Sequence, residues 1–167
     1  MPNVTLEFKK KSDGTAILTF VRADGSRTSS PIGLAPGFGP IHDLAHYTVE
    51  SVLGIARGFI GLCGEGWTIQ DFDEDAAKNI PPEAAISEVV SGEISRMEMA
   101  SQWLSLDDFN WTIAASEFTM TGEHYDAIRR ALPQLRAQWN ALAPSSTMSL
   151  RFEPGRAVTV SDEGTIS

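Results

Sequence analysis

A single cysteine, Cys63, stands among the 167 residues, which excludes an internal disulfide and any cysteine-rich zinc module. Positive charge is also scarce: 13 Lys and Arg face 22 Asp and Glu, for a net charge of −9 at pH 7. Such a surface repels phosphate backbones and anionic lipid, so neither a nucleic-acid nor a membrane partner is expected. Uninterrupted apolar runs are missing as well. The most apolar long stretch, residues 41–63, carries His42, Asp43, His46, Glu50 and Arg57. Each of these groups is costly in hydrocarbon, so the stretch reads as a buried helix rather than a membrane span. Residues 1–11 hold no continuous apolar segment and no small-residue cleavage site, so no secretory leader is expected and cytoplasmic residence is the default. Internal repeats, a Gly-rich phosphate loop and a Gly-x-Ser-x-Gly elbow are all lacking.

What remains is an ordinary globular composition, 42% hydrophobic and 21% charged, at a length suited to one domain over residues 1–167. Val4, Leu6 and Phe8 alternate with polar residues, the period-two pattern of a half-buried strand. Ser12-Asp13-Gly14 and Ala23-Asp24-Gly25-Ser26 are turn signals, so residues 15–22 and 27–30 read as the next strands of a meander. Residues 31–40 hold three prolines and three glycines and read as a loop. From Ile41 the period becomes helical, and Ile41, Ala45, Val49, Val52, Ala56, Ile60 and Cys63 fall on one stripe that runs to the glycines at 61, 64 and 66. Residues 67–72 read as a short strand or an extended lid. A second helix opens at Pro81-Pro82-Glu83 and runs to about Leu104, with Ile86, Val89, Val90, Ile94 and Met97 at helical spacing. Residues 107–118 suit a short helix. Thr121 can cap a last one over residues 122–142, interrupted by Pro133. Residues 147–152 and 157–161, around a Pro-Gly turn, read as a C-terminal hairpin. The expected fold is α+β: an antiparallel sheet, built from the N-terminal meander and the C-terminal hairpin, packed on about three helices.

The chain has only three histidines, and two of them lie in His42-Asp43-Leu44-Ala45-His46. Imidazoles at i and i+4 share one helix face, and Glu50 continues the ladder at i+8, at wheel angles of about 0°, 40° and 80°. Two such nitrogens can hold a divalent ion, zinc above all, with a carboxylate as third ligand and a position left for water. Glu50 lies about 12 Å along the axis from His42, so His124 or another acidic residue is the competing third ligand. Asp43 or Glu50 would handle the proton in a metal-assisted hydrolysis.

These five residues resemble the zinc-binding helix of the zincin metallopeptidases, whose pattern is His-Glu-x-x-His. Asp43 stands where that family has its catalytic Glu, and the third His of the metzincin branch is missing. The resemblance therefore implies metal ligation by His42 and His46, and nothing further.

Other features carry bland readings. Residues 71–75 alternate carboxylates, but Ala76 and Pro82 stand where a calcium loop of the EF-hand type needs Gly and Glu, so a solvated acidic loop is expected. Gly37-Phe38-Gly39 could turn N–H groups toward an anion, although helix entry alone accounts for it. Gly54, Gly58 and Gly61 suggest a close backbone crossing. Cys63, on the apolar stripe, reads as a buried inert thiol. Two function classes follow: a metal-dependent hydrolase acting on a small molecule or protein, or a non-catalytic binding or interaction module in which the His/Glu ladder is structural.

Overall fold

A computed structural model describes residues 2–32, 39–72 and 79–167. The expectations for the loop at 33–38 and for the acidic residues 73–75 lie outside the described residues, as does most of Gly37-Phe38-Gly39. The meander is present: β1 (Val4–Lys10), β2 (Ala16–Arg22) and β3 (Arg27–Ile32) follow one another, and β4 (Thr147–Phe152) pairs with the free side of β1. The sheet order is β3-β2-β1-β4, antiparallel throughout. The Asp carboxylates close both turns as expected, Asp13 accepting from the Thr15 N–H at 3.0 Å and Asp24 from the Ser26 N–H at 2.8 Å.

Alternation decides which side of the sheet is covered. Val4, Leu6 and Phe8 are buried, and the register sets Leu6 opposite both Phe20 and Leu150, and Phe8 opposite Leu18 and Met148. This face packs on the helices α1 (Gly39–Leu53), α3 (Pro82–Met99) and α5 (Gly122–Ala141), joined by the shorter α2 (Phe59–Glu65) and α4 (Leu106–Thr112). The fold is α+β, and the three longer helices begin within two residues of their expected starts; α3 ends at Met99, short of the expected Leu104, and α5 runs on through Pro133, which was expected to interrupt it. Thr121 caps α5, its hydroxyl accepting from the His124 N–H. At the other end of α5, Lys10 donates to the carbonyls of Trp139 and Leu142 at 2.6 and 2.9 Å, a favourable use of a cation at a helix C-terminus. No helix of the described residues is long and apolar enough to cross a membrane.

Three further local expectations differ from the structure. The helix expected over residues 41–63 breaks after Leu53, where Gly54 takes φ +66° and Ala157 N lies 3.0 Å from where its Cβ would stand. The tail after β4 crosses there, the Val158 N–H donating to the Ser51 carbonyl, so a backbone crossing does explain this glycine. An apolar stripe runs equally well through one bent helix pair or one straight helix, which is why periodicity missed the break. Second, residues 157–161 add no strand to the sheet: beyond β4 the tail makes a single bridge, Val160 with Ile166. Third, residues 69–72 form one 3-10 turn instead of a strand.

Candidate metal centre

Helix α1 has two buried faces. One carries Ile41, Leu44, Ala45 and Val49 into the apolar core; the other carries His46 and Glu50, buried at 2% and 0% exposure, against α3. Burying those groups is affordable only if their polar atoms are satisfied. They are. Glu50 accepts from the Phe59 N–H at 2.7 Å and the Ile60 N–H at 3.0 Å, both at the start of α2, and from the Ser87 hydroxyl of α3 at 2.6 Å. His46 Nδ1 lies 3.3 Å from Glu50 Oε1 and 3.1 Å from Ser87 Oγ. The break at Gly54 makes this possible, because it turns the first amides of α2 back onto the carboxylate. Gly58 keeps the approach open: a Cβ there would run into the Glu50 carboxyl group.

The far side of the imidazole meets a residue that sequence reasoning missed. Glu88 of α3 places Oε2 2.9 Å from His46 Nε2 and Oε1 3.5 Å from His42 Nε2. His42 is held from behind by Ser95, with Oγ 3.4 Å from Nδ1, and the two imidazole centroids are 4.9 Å apart, edge to face. Nitrogens of His42 and His46 and an oxygen of Glu88 thus lie within 4.8 Å of one another. Ligands around a tetrahedral ion at about 2.0–2.2 Å sit roughly 3.5 Å apart, so small side-chain adjustments would close the set. His42, His46 and Glu88 are an arrangement that could hold a metal ion. The cluster opens outward: His46 is its buried floor, whereas His42 and Glu88 have side chains 38% and 63% exposed.

Two further observations bear on the fit. A metal-bound imidazole commonly gives its other N–H to a carboxylate, and Glu50 occupies that position behind His46. Ser91, one turn from both Ser87 and Ser95 on α3, is fully buried with its hydroxyl unpartnered among the described residues. Electrostatically the cluster is tightly bound together. Burial by itself would depress His46, but hydrogen bonds to Glu50 and Glu88, together with their charges, outweigh it and push the imidazole up to about 10. Hydrogen bonds from His42 and His46 hold the Glu88 carboxyl well below the usual range. Desolvation pushes Asp43 up to about 6, against the pull of His46 and His42.

The expected site residues are therefore distributed as follows. His42 and His46 are brought together, with Asp43 beside them on α1. Glu50 touches His46 from behind, both of its oxygens already taken by donors. His124, at the start of α5, lies in a separate cleft and is not part of the cluster. Ser87, Glu88, Ser91 and Ser95 form a polar stripe at helical spacing on α3, a signal that marks the stripe without revealing that it faces His42 and His46. Cys63 is buried and its thiol is pushed up, first by desolvation and then by the Glu50 charge, as suits an inert residue. Comparison with protein-family models, with curated proteins and with solved structures finds no match.

Proposed function

We propose that the chain binds one divalent metal ion, zinc in the first instance, through His42, His46 and Glu88, and that it acts in metal-assisted hydrolysis. The observation that carries this reading is the convergence of one nitrogen from each of two imidazoles and a carboxylate oxygen, from α1 and α3, within 4.8 Å, on a cluster open to solvent. A two-imidazole, one-carboxylate donor set suits zinc and leaves a coordination position free. An ion there would supply Lewis acidity toward a substrate oxygen and lower the pKa of water. Glu50 and Ser87 orient His46 by holding Nδ1, so that Nε2 faces outward. Asp43, next to His42, is the carboxyl group suited to accept the proton. The buried, inert Cys63 fits a reducing compartment such as the cytoplasm.

A second reading has its own support. With His46 pushed up to about 10 by Glu50 and Glu88, an imidazolium between two carboxylates satisfies the seam without any ion, as a non-catalytic binding module would require. Metal content separates the two. Protein purified without a tag and measured by elemental mass spectrometry should carry close to one equivalent of zinc, iron or manganese, and a His42→Ala/His46→Ala double variant should carry none. A metal content that ignores the double variant would leave the structural reading standing and remove the metal reading.

A further inference from the structure

The third histidine belongs to a different place. Between the C-terminal end of α1, the first turn of α3 and the segment entering α5 lies a cleft of about 340 Å³, near the lower bound for small-molecule sites, about 300 Å³. Leu53, Ile55, Ile86 and Phe118 form its walls, all half-buried apolar side chains, and Leu53, Ile86 and Phe118 also pack against the core. Its polar groups are few: Glu83, whose Oε2 is fixed by the Arg57 N–H at 3.0 Å, the imidazole of His124, and two threonines. Among the described residues no hydrogen bond reaches the His124 ring. An apolar concavity with a small number of convergent polar groups is the usual form of a ligand site. None of His42, His46 and Glu88 lines this cleft, so the inference does not rest on the metal cluster.

We infer that this cleft binds a compact organic molecule with an apolar body and a hydrogen-bond-donating head, an arylalkylamine or the corresponding alcohol, the head directed to Glu83. The size selects against a peptide helix or strand. The charge selects the head: Glu83 offers a carboxylate oxygen beyond the one held by Arg57, and a net charge of −9 favours a cation over an anion. His124, half-buried at the rim, is suited to receive a second donor in its neutral form.

Titration of the full chain with benzylamine, benzyl alcohol and benzoate, followed by two-dimensional amide NMR, tests this. Saturable shifts confined to Ile55, Ile86, Phe118 and His124 are expected with the amine and the alcohol, and none with benzoate. Glu83→Gln should weaken benzylamine about fivefold while changing benzyl alcohol less than about twofold. Ile86→Trp, which fills the cleft, should abolish both, its melting temperature reporting that the fold persists. Shifts scattered over the surface without saturation, or a preference for benzoate, would overturn the inference. So would an unchanged benzylamine affinity in both variants, as would a response seen only with a partner protein.

Discussion

Helix α1 is packed in two opposite ways. Toward the sheet it meets an apolar interior of Leu6, Phe8, Leu18, Phe20 and Phe152, where burial of area stabilises and no atom needs a named partner. Toward α3 it meets Ser87, Glu88, Ser91 and Ser95 with His46 and Glu50 of its own, where burial costs free energy unless each polar atom is paired. The first interface tolerates many apolar sequences of similar volume. The second does not, because Glu50 alone receives two backbone amides, a hydroxyl and an imidazole. A seam of this kind specifies geometry at some cost in stability, and it ends at the cluster of His42, His46 and Glu88 that could hold a metal ion.

Substitutions sharpen this contrast. The largest loss is expected on the apolar side: Phe8→Ala should cost about 3–5 kcal/mol in chemical denaturation, with zinc affinity per folded molecule unchanged. Glu50→Ala should cost about 3 kcal/mol, since it strands four buried donors at once, and zinc affinity should fall with it. Glu50→Gln, which keeps the shape, should cost less in stability than Glu50→Ala. Equal losses for the two would mean that packing, not acceptance of hydrogen bonds, holds the seam. Gly58→Ala should cost about 2 kcal/mol by forcing α2 off the Glu50 carboxylate, read as faster hydrogen exchange at Phe59 and Ile60.

The meander, the start of α3, both ends of α5 and the His42–His46 pair were legible because each depends on local spacing or capping, whereas α3 ends at Met99, five residues short of the expected Leu104. Glu88 was not legible. It lies 42 positions from His46, and only the packing of α1 on α3 brings the two together. The same holds for Glu50, which local spacing aligns with His42 and His46 as an i+8 neighbour but which tertiary donors from α2 and Ser87 draw to the rear of His46. The helix break that creates those donors is marked by Gly54, whose positive φ a sequence stripe does not reveal. Val89, counted in the apolar stripe of α3, is 44% exposed.

Acidity provides a subtler test of the polar seam. In metal-free protein Glu50 and Glu88 outweigh desolvation and push His46 up to about 10 from an ordinary 6.5. Its contribution is therefore complete below about 6.5 and fades as the pH rises through 10. Glu88, held below its ordinary 4.5, acts in the opposite sense: its stabilisation is present above 4.5 and is lost as the pH falls. Melting temperature followed from pH 3 to pH 10.5 in chelator should therefore decline toward both ends, and His46→Gln should flatten the alkaline limb. An alkaline limb that survives His46→Gln would place the titration elsewhere. The smallest effect lies far from both interfaces: Thr121→Ala should cost about 1 kcal/mol through loss of the α5 cap, without touching zinc affinity.

The most direct test of the metal cluster is the protonation of the imidazole nitrogens, read by long-range ¹H–¹⁵N NMR before and after one equivalent of zinc. Without metal, both nitrogens of His46 should be protonated near neutral pH. With zinc, Nε2 of His46 and Nε2 of His42 should move to the metal-bound range while Nδ1–H of His46 stays on Glu50, and His124 should not respond. If both nitrogens of His46 keep their protons in the presence of zinc, the cluster is a structural ion pair and the metal centre is refuted.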